Sequence, residues 1–124
     1  MNKQEPLLFK QNVPAGTILN LQERIKADGT IENIKVRFFA GQEMDLKVRP
    51  ILIKKGDMYV DLIKYVGEDK ELSGDDDIYS FDTSISVEND DEVLVIAENK
   101  SVDFDYTLFC IVQIDYYGGK KRVV

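Results

Sequence analysis

Apolar and polar residues alternate along most of this chain with a period of two, the pattern of strands that bury one face. The cleanest run is residues 104–117, FDYTLFCIVQIDYY. There Phe104, Tyr106, Leu108, Cys110, Val112, Ile114 and Tyr116 share one face, while Asp105, Thr107, Gln113 and Asp115 share the other. Shorter runs repeat the pattern: GTILNLQERI, IENIKVRFF, DLKVRPILI, MYVDLIKY, DIYSFDTSISV and EVLVIAE. Between them stand Asp28-Gly29, Gly41, Lys55-Gly56-Asp57, Gly74-Asp75 and ENDDE, residue types that favour turns. No window of a dozen residues keeps a 3.6-residue apolar stripe; NLQERIKA comes closest and runs into Asp28-Gly29 after barely two turns. Seven or eight short strands at near-regular spacing predict an all-β chain, an antiparallel β-sandwich of jelly-roll type. Pro50 interrupts KVRPILI and has no N–H to give a ladder, so it predicts an edge strand or a bulge at that point.

The 124 residues match the size of one domain, and 44% apolar with 31% charged residues and only three prolines describe a chain that folds. Near the amino terminus the apolar stretch Leu7–Phe9 is too short for a signal peptide or a membrane span, so synthesis in a cytoplasm is expected. Cys110 is the single cysteine, which rules out an intrachain disulfide and fits a reducing compartment. Asn99-Lys100-Ser101 matches a glycosylation sequon, and without an export signal it reads as chance.

Charge changes the picture more. The net charge is −7, and residues 66–99 hold twelve acids against one lysine, Lys70. Such a chain repels nucleic acid and anionic membranes at long range, and neither is an expected partner.

Catalytic chemistry has few carriers here. The chain has no histidine, which removes the usual general base, the Ser/His and Cys/His pairs and the commonest zinc ligand. Cys110 lies on an apolar strand face, where a thiol acts as a small hydrophobe. Neither GxxxxGK[ST] nor GxGxxG occurs, and the basic KKRVV has no stacking platform beside it. Paired carboxylates could serve a glycosidase, but Asp105 and Asp115 are ten residues apart on one strand, at about 3.3 Å per residue far beyond each other's reach. No enzyme, catalytic residue, metal or cofactor is expected.

Two weaker ligand readings remain. Asp75, Asp76, Asp77 and Asp82 offer oxygens for calcium but lack the alternating D-x-D-x-D-G order that turns successive carboxylates toward one ion, and a solvated turn is the plainer reading. Tyr59, Tyr65, Tyr79, Tyr116 and Tyr117 could stack on sugars, so a carbohydrate-binding or adhesin module, with or without calcium, is the alternative function. Tryptophan, the preferred platform, is absent, and Tyr79, Tyr106 and Tyr116 fall on inferred core faces.

The second face of the strands is the most informative feature. Phe39, Ile51, Ile53, Ile63, Phe109 and Ile111 stand opposite the main apolar face of their strands, where a solvated sheet should read polar. Bulges or an added layer could cover some of them; a partner would cover the rest. Lys35 with Arg37, and Lys47 with Arg49, form basic pairs on single strand faces, while 68–77 and 88–92 are acidic loops. Basic ladders of one copy facing acidic loops of another would set the register of a homo-oligomer; the alternative is that the two signs pair within one molecule.

The runs IKVRFFAGQEMDLKVRPILIKKGD, LSGDDDIYSFDTSISVENDDEVLVIAEN and DYTLFCIVQIDYYGG resemble small β-sandwich structural proteins of tailed-bacteriophage virions, over about residues 15–119. The resemblance implies a non-enzymatic subunit of a particle (capsid decoration, head-tail junction, tail or fibre base) made in a host cytoplasm, found in the virion, and assembled with itself and other virion proteins. It also implies an amino-terminal arm, 1–14, docking on a neighbour; the residues themselves divide the rest into a sandwich over 15–119 and a basic tail over 120–124, solvated or an intersubunit arm.

Overall fold

Each period-two run contains a strand, and one further strand lies where none was expected. A computed structural model of the chain describes residues 3–55, 57–63 and 72–117. The strands are β1 Lys3–Val13, β2 Ile18–Arg24, β3 Gly29–Phe38, β4 Leu46–Lys54, β5 Met58–Asp61, β6 Asp77–Val87, β7 Glu92–Asn99 and β8 Tyr106–Tyr116. Among the described residues there is no helix.

The strands form two four-stranded antiparallel sheets, ordered β1-β8-β3-β6 and β2-β7-β4-β5. First pairs with last: β1 with β8, β2 with β7, β3 with β6, and β4 with β5. A long antiparallel ribbon rolled up on itself gives this order, with successive pairs falling alternately into the two sheets. The β3–β8 and β4–β7 ladders close the roll. That is the jelly roll, as the strand spacing predicts.

The inner faces interdigitate. Ile31, Ile34, Val36 and Phe38 of β3 and Leu108, Cys110, Val112 and Ile114 of β8 meet Leu46, Val48 and Leu52 of β4 and Val93, Val95 and Ala97 of β7. Each fully buried aliphatic side chain contributes about 1.5–3 kcal/mol relative to exposure. A register shift between Ile31 and Asn33 explains why Ile31 and Ile34 both face inward at a spacing of three: the bulge at Glu32 switches the pleat. Asp28-Gly29 does not close a hairpin; it carries the chain from one sheet to the other. Gly29 is required there because a Cβ would lie 2.6 Å from the carbonyl oxygen of Asp115.

Residues 3–13 are not an arm. β1 pairs with β8 along its whole length, from Lys3 opposite Tyr116 to Val13 opposite Tyr106, and Phe9 and Val13 are in the core. Gln11 and Leu8 blur the alternation of Leu7, Phe9 and Val13, so the strand depends on the long partner β8 rather than on its own pattern. Pro6 is tolerated because β1 is an edge strand. The tail 120–124 lies outside the described residues.

Pro50 sits in a strand with neighbours on both sides, a correction to the simple edge assignment. Its carbonyl accepts from Leu62 N at 3.1 Å, which places its missing N–H on the same side, where β5 has already ended at Asp61. On that side the earlier part of β4 has only the bridge between Val48 and Leu72. The missing donor therefore costs no bond to β7.

Candidate docking face

The sheet β1-β8-β3-β6 turns one face to the core and one to solvent, and register fixes what the solvent face carries. Leu8, Ile111, Lys35 and Ser80 form one cross-strand row; Pro6, Gln113, Asn33 and Asp82 form the next. Lys10 lies opposite Phe109, and Arg37 opposite Ile78. Just past β3 the Phe39 ring meets Phe109 edge-on, centroids 6.3 Å apart, and the Arg37 guanidinium lies 5.0 Å from the Phe39 centroid. Such stacking contributes about 0.5–1 kcal/mol at an exposed site and holds the cation over the aromatic pair.

The face is greasy and basic. Leu8 and Ile78 are 54% and 60% exposed, and Phe39, Phe109 and Ile111 are half-buried between them. Lys10, Lys35 and Arg37 are exposed and join no ion pair among the described residues. β8 produces this surface by being apolar on both sides: its even-numbered residues fill the core, while Phe109 and Ile111 point outward.

The expected interface residues therefore divide. Lys35, Arg37, Phe39, Phe109 and Ile111 come together here. Lys47, Arg49, Ile51 and Ile53 belong to β4, on the outer side of the opposite sheet. Ile63 does not belong to any surface, being buried in the core just after β5. Ile51 is also buried within the single chain, and Ile53 is half-buried opposite Tyr59 and Glu92. A period-two reading carried past Asp61 misplaces Ile63, because β5 ends there.

In the second basic ladder, among the described residues, Arg49 meets an acid of its own molecule and Lys47 a hydroxyl. Arg49 Nε lies 3.0 Å from Asp61 Oδ1, and Lys47 Nζ donates to Ser73 Oγ at 3.2 Å. The 88–92 loop is used internally as well: Lys54 Nζ lies 3.2 Å from Asp91 Oδ2, and Arg24 Nε 3.9 Å from Asp90 Oδ1. The aspartate triplet faces no cation among the described residues. Its carboxylates hold backbone: Asp75 accepts from Gly41 N at 2.8 Å and Asp77 from Asp75 N at 2.9 Å. Among the described residues no three acidic or cysteine side chains gather as a metal site.

The remaining candidates are placed as follows. Asp105 Oδ1 accepts from Ala15 N at 3.0 Å, and Asp115 lies near the far end of β8. Tyr59 is exposed; Tyr79 is half-buried with its ring edge-on to Phe38 and its hydroxyl donating to Ser73 O; Tyr116 is buried; and Tyr117 shares a hydrogen bond with Thr30. Tyr65 lies outside the described residues. Phe104, expected on the core face, is 63% exposed because β8 begins only at Tyr106. Leu8, Lys10 and Ile78 were missed as members of the face, and the signal for two of them lay in the unrecognised alternation of β1.

Cys110 is fully buried, and desolvation pushes its thiol up from 9.0 to about 12. Below pH 9 both folded and unfolded chains hold the proton, so the thiol adds no pH dependence to stability; above it the unfolded chain deprotonates first. Stability is therefore expected to fall as pH rises from 9 toward 12, and Cys110→Ala is expected to lose that part of the slope. In native buffer an added disulfide reagent is expected to label the thiol only at the rate of unfolding. Fast stoichiometric labelling would contradict the burial.

No protein-family model matches the chain, and no curated protein does. Among solved structures, the crystal structure of a Yersinia pseudotuberculosis-derived mitogen is similar at a TM-score of 0.48 and 7% sequence identity, covering 94% of this chain and 90% of that one. At that distance nothing about function passes from one to the other.

Proposed function

We propose that this jelly roll is a non-enzymatic structural or docking subunit that works as a homo-oligomer, its contact surface being the outer face of β1-β8-β3-β6. The observation that carries the reading is one contiguous solvent-facing surface holding Leu8, Ile78, Phe39, Phe109 and Ile111 together with Lys10, Lys35 and Arg37. A sheet that met only water would be polar on that side, and an apolar surface flanked by Lys10, Lys35 and Arg37, with Asp82 one row away, is suited to another polypeptide. The setting in a phage-like particle, beside other virion proteins, is proposed from the sequence resemblance alone.

Sedimentation equilibrium tests it. The wild-type chain is expected to run as a multiple of one chain and Leu8→Glu/Ile111→Glu as a single chain with an unchanged fold, since Leu8 is exposed and a carboxylate introduced at position 111 would face Lys35. A wild-type chain that stays single at millimolar concentration would overturn the reading.

A further inference from the structure

Four connections meet at one end of the sandwich and are tied together by three backbone–backbone hydrogen bonds and one to a side chain. Ala15 N donates to Asp105 Oδ1, Lys100 N to Asp45 O at 2.9 Å, Met44 N to Gly74 O at 3.1 Å, and Asp76 N to Phe39 O at 3.3 Å. This end carries Glu43, Asp45, Asp75, Asp76, Asp77, Asp103 and Asp105, with Lys100 and the Ser73-bonded Lys47 as cations beside them. Out of that acidic ring stand Met44, Val102 and Phe104, 55%, 85% and 63% exposed. Glu43, Met44 and Asp76 hold φ values of 50°, 65° and 54°, a left-handed conformation that non-glycine residues adopt at some cost. The backbone bonds above hold that geometry, so Met44 is presented on a fixed loop.

This surface is the counterpart of the docking face in both respects: apolar side chains to set against apolar ones, and acids to set against Lys10, Lys35 and Arg37. Face against face would instead bring two basic surfaces together. We propose, resting on the docking reading above, that the occupant of the face is a second copy of this chain, seated through its loop end at Met44, Val102 and Phe104. Each copy carries both halves of the contact, so association is head-to-face, and it either closes into a ring or continues as a filament. Opposite charges fix the register and make the contact salt-sensitive.

Charge exchange tests it. Lys35→Glu/Arg37→Glu reverses the face, and Glu43→Lys/Asp103→Lys reverses the charge beside Met44 and Phe104, cutting the seven acids of the loop end to five; all four side chains are exposed, and unchanged melting curves verify the fold. In sedimentation velocity each double variant alone is expected to associate at least tenfold more weakly than the wild type. An equal mixture of the two, and a single chain bearing all four changes, are expected to assemble again. A loop-end variant that assembles like the wild type would overturn the head-to-face contact, and if Leu8→Glu/Ile111→Glu still dissociates, the docking reading stands without it. A mixture that stays dissociated also overturns it. A wild-type chain that never associates removes both.

Discussion

Asp91→Ala is expected to lower the free energy of unfolding by about 3–5 kcal/mol, the range for removing one partner of a buried ion pair. Asp91 is 1% exposed, in the connection between β6 and β7, and its carboxylate has three uses. One oxygen lies 3.2 Å from Lys54 Nζ and accepts from Glu88 N at 2.9 Å, and the other accepts from Lys55 N at 3.3 Å. The loop between β6 and β7 is thereby fastened to the end of β4, the neighbour of β7 in its own sheet. Alanine leaves a partly buried ammonium and two backbone donors without this partner. Asp91→Asn keeps one acceptor and no buried charge and should cost least, and Lys54→Met, which leaves the buried carboxylate with two backbone donors but no counter-charge, should fall between the two. Urea unfolding of the three variants gives the order; equal losses for all three would mean that the carboxylate is not the tie. As a contrast, the exposed Arg24–Asp90 pair at 3.9 Å should be worth under about 1 kcal/mol.

Asn99→Ala is expected to cost about 3 kcal/mol, read as a fall in melting temperature of about 10 °C. The buried amide donates to Val13 O at 3.0 Å and Phe104 O at 2.8 Å, and its oxygen accepts from Ser101 N at 2.9 Å. It therefore joins the end of β1, the end of β7 and the turn into β8. Asn99→Asp is expected to be as harmful at neutral pH, since a carboxylate would face two carbonyl oxygens. Both amide hydrogens are committed, so the folded protein cannot present this asparagine for glycosylation whatever the compartment. A melting temperature within about 2 °C of wild type for Asn99→Ala would contradict the junction.

Strand alternation made the class of fold legible because nearly every strand buries one face. β8 could be read residue by residue from Tyr106 to Tyr116, and the core position of Cys110 followed. β1 could not, since its partner lies at the other end of the chain and long-range pairing leaves little mark on a short amphipathic run. Phe104 was misread for a related reason: alternation continues into the loop after the backbone has left the sheet. The face was half legible. Lys35, Arg37, Phe39, Phe109 and Ile111 could be marked as outward, but which strands lie side by side is a property of topology, and only topology separates them from Lys47, Arg49, Ile51 and Ile53. The fate of the second basic ladder depended on Asp61 and Ser73, whose positions across strands no local pattern reveals.

The most direct test is hydroxyl-radical footprinting of Leu8, Ile78, Phe109 and Ile111 over a dilution series, with exposed Tyr59 on the opposite sheet as the internal reference. If copies shield this face, oxidation of these four side chains should be suppressed at high concentration and should rise on dilution while Tyr59 stays constant. Oxidation at one unchanging rate across the series, with the fold intact, would mean that the greasy side of β1-β8-β3-β6 meets only water.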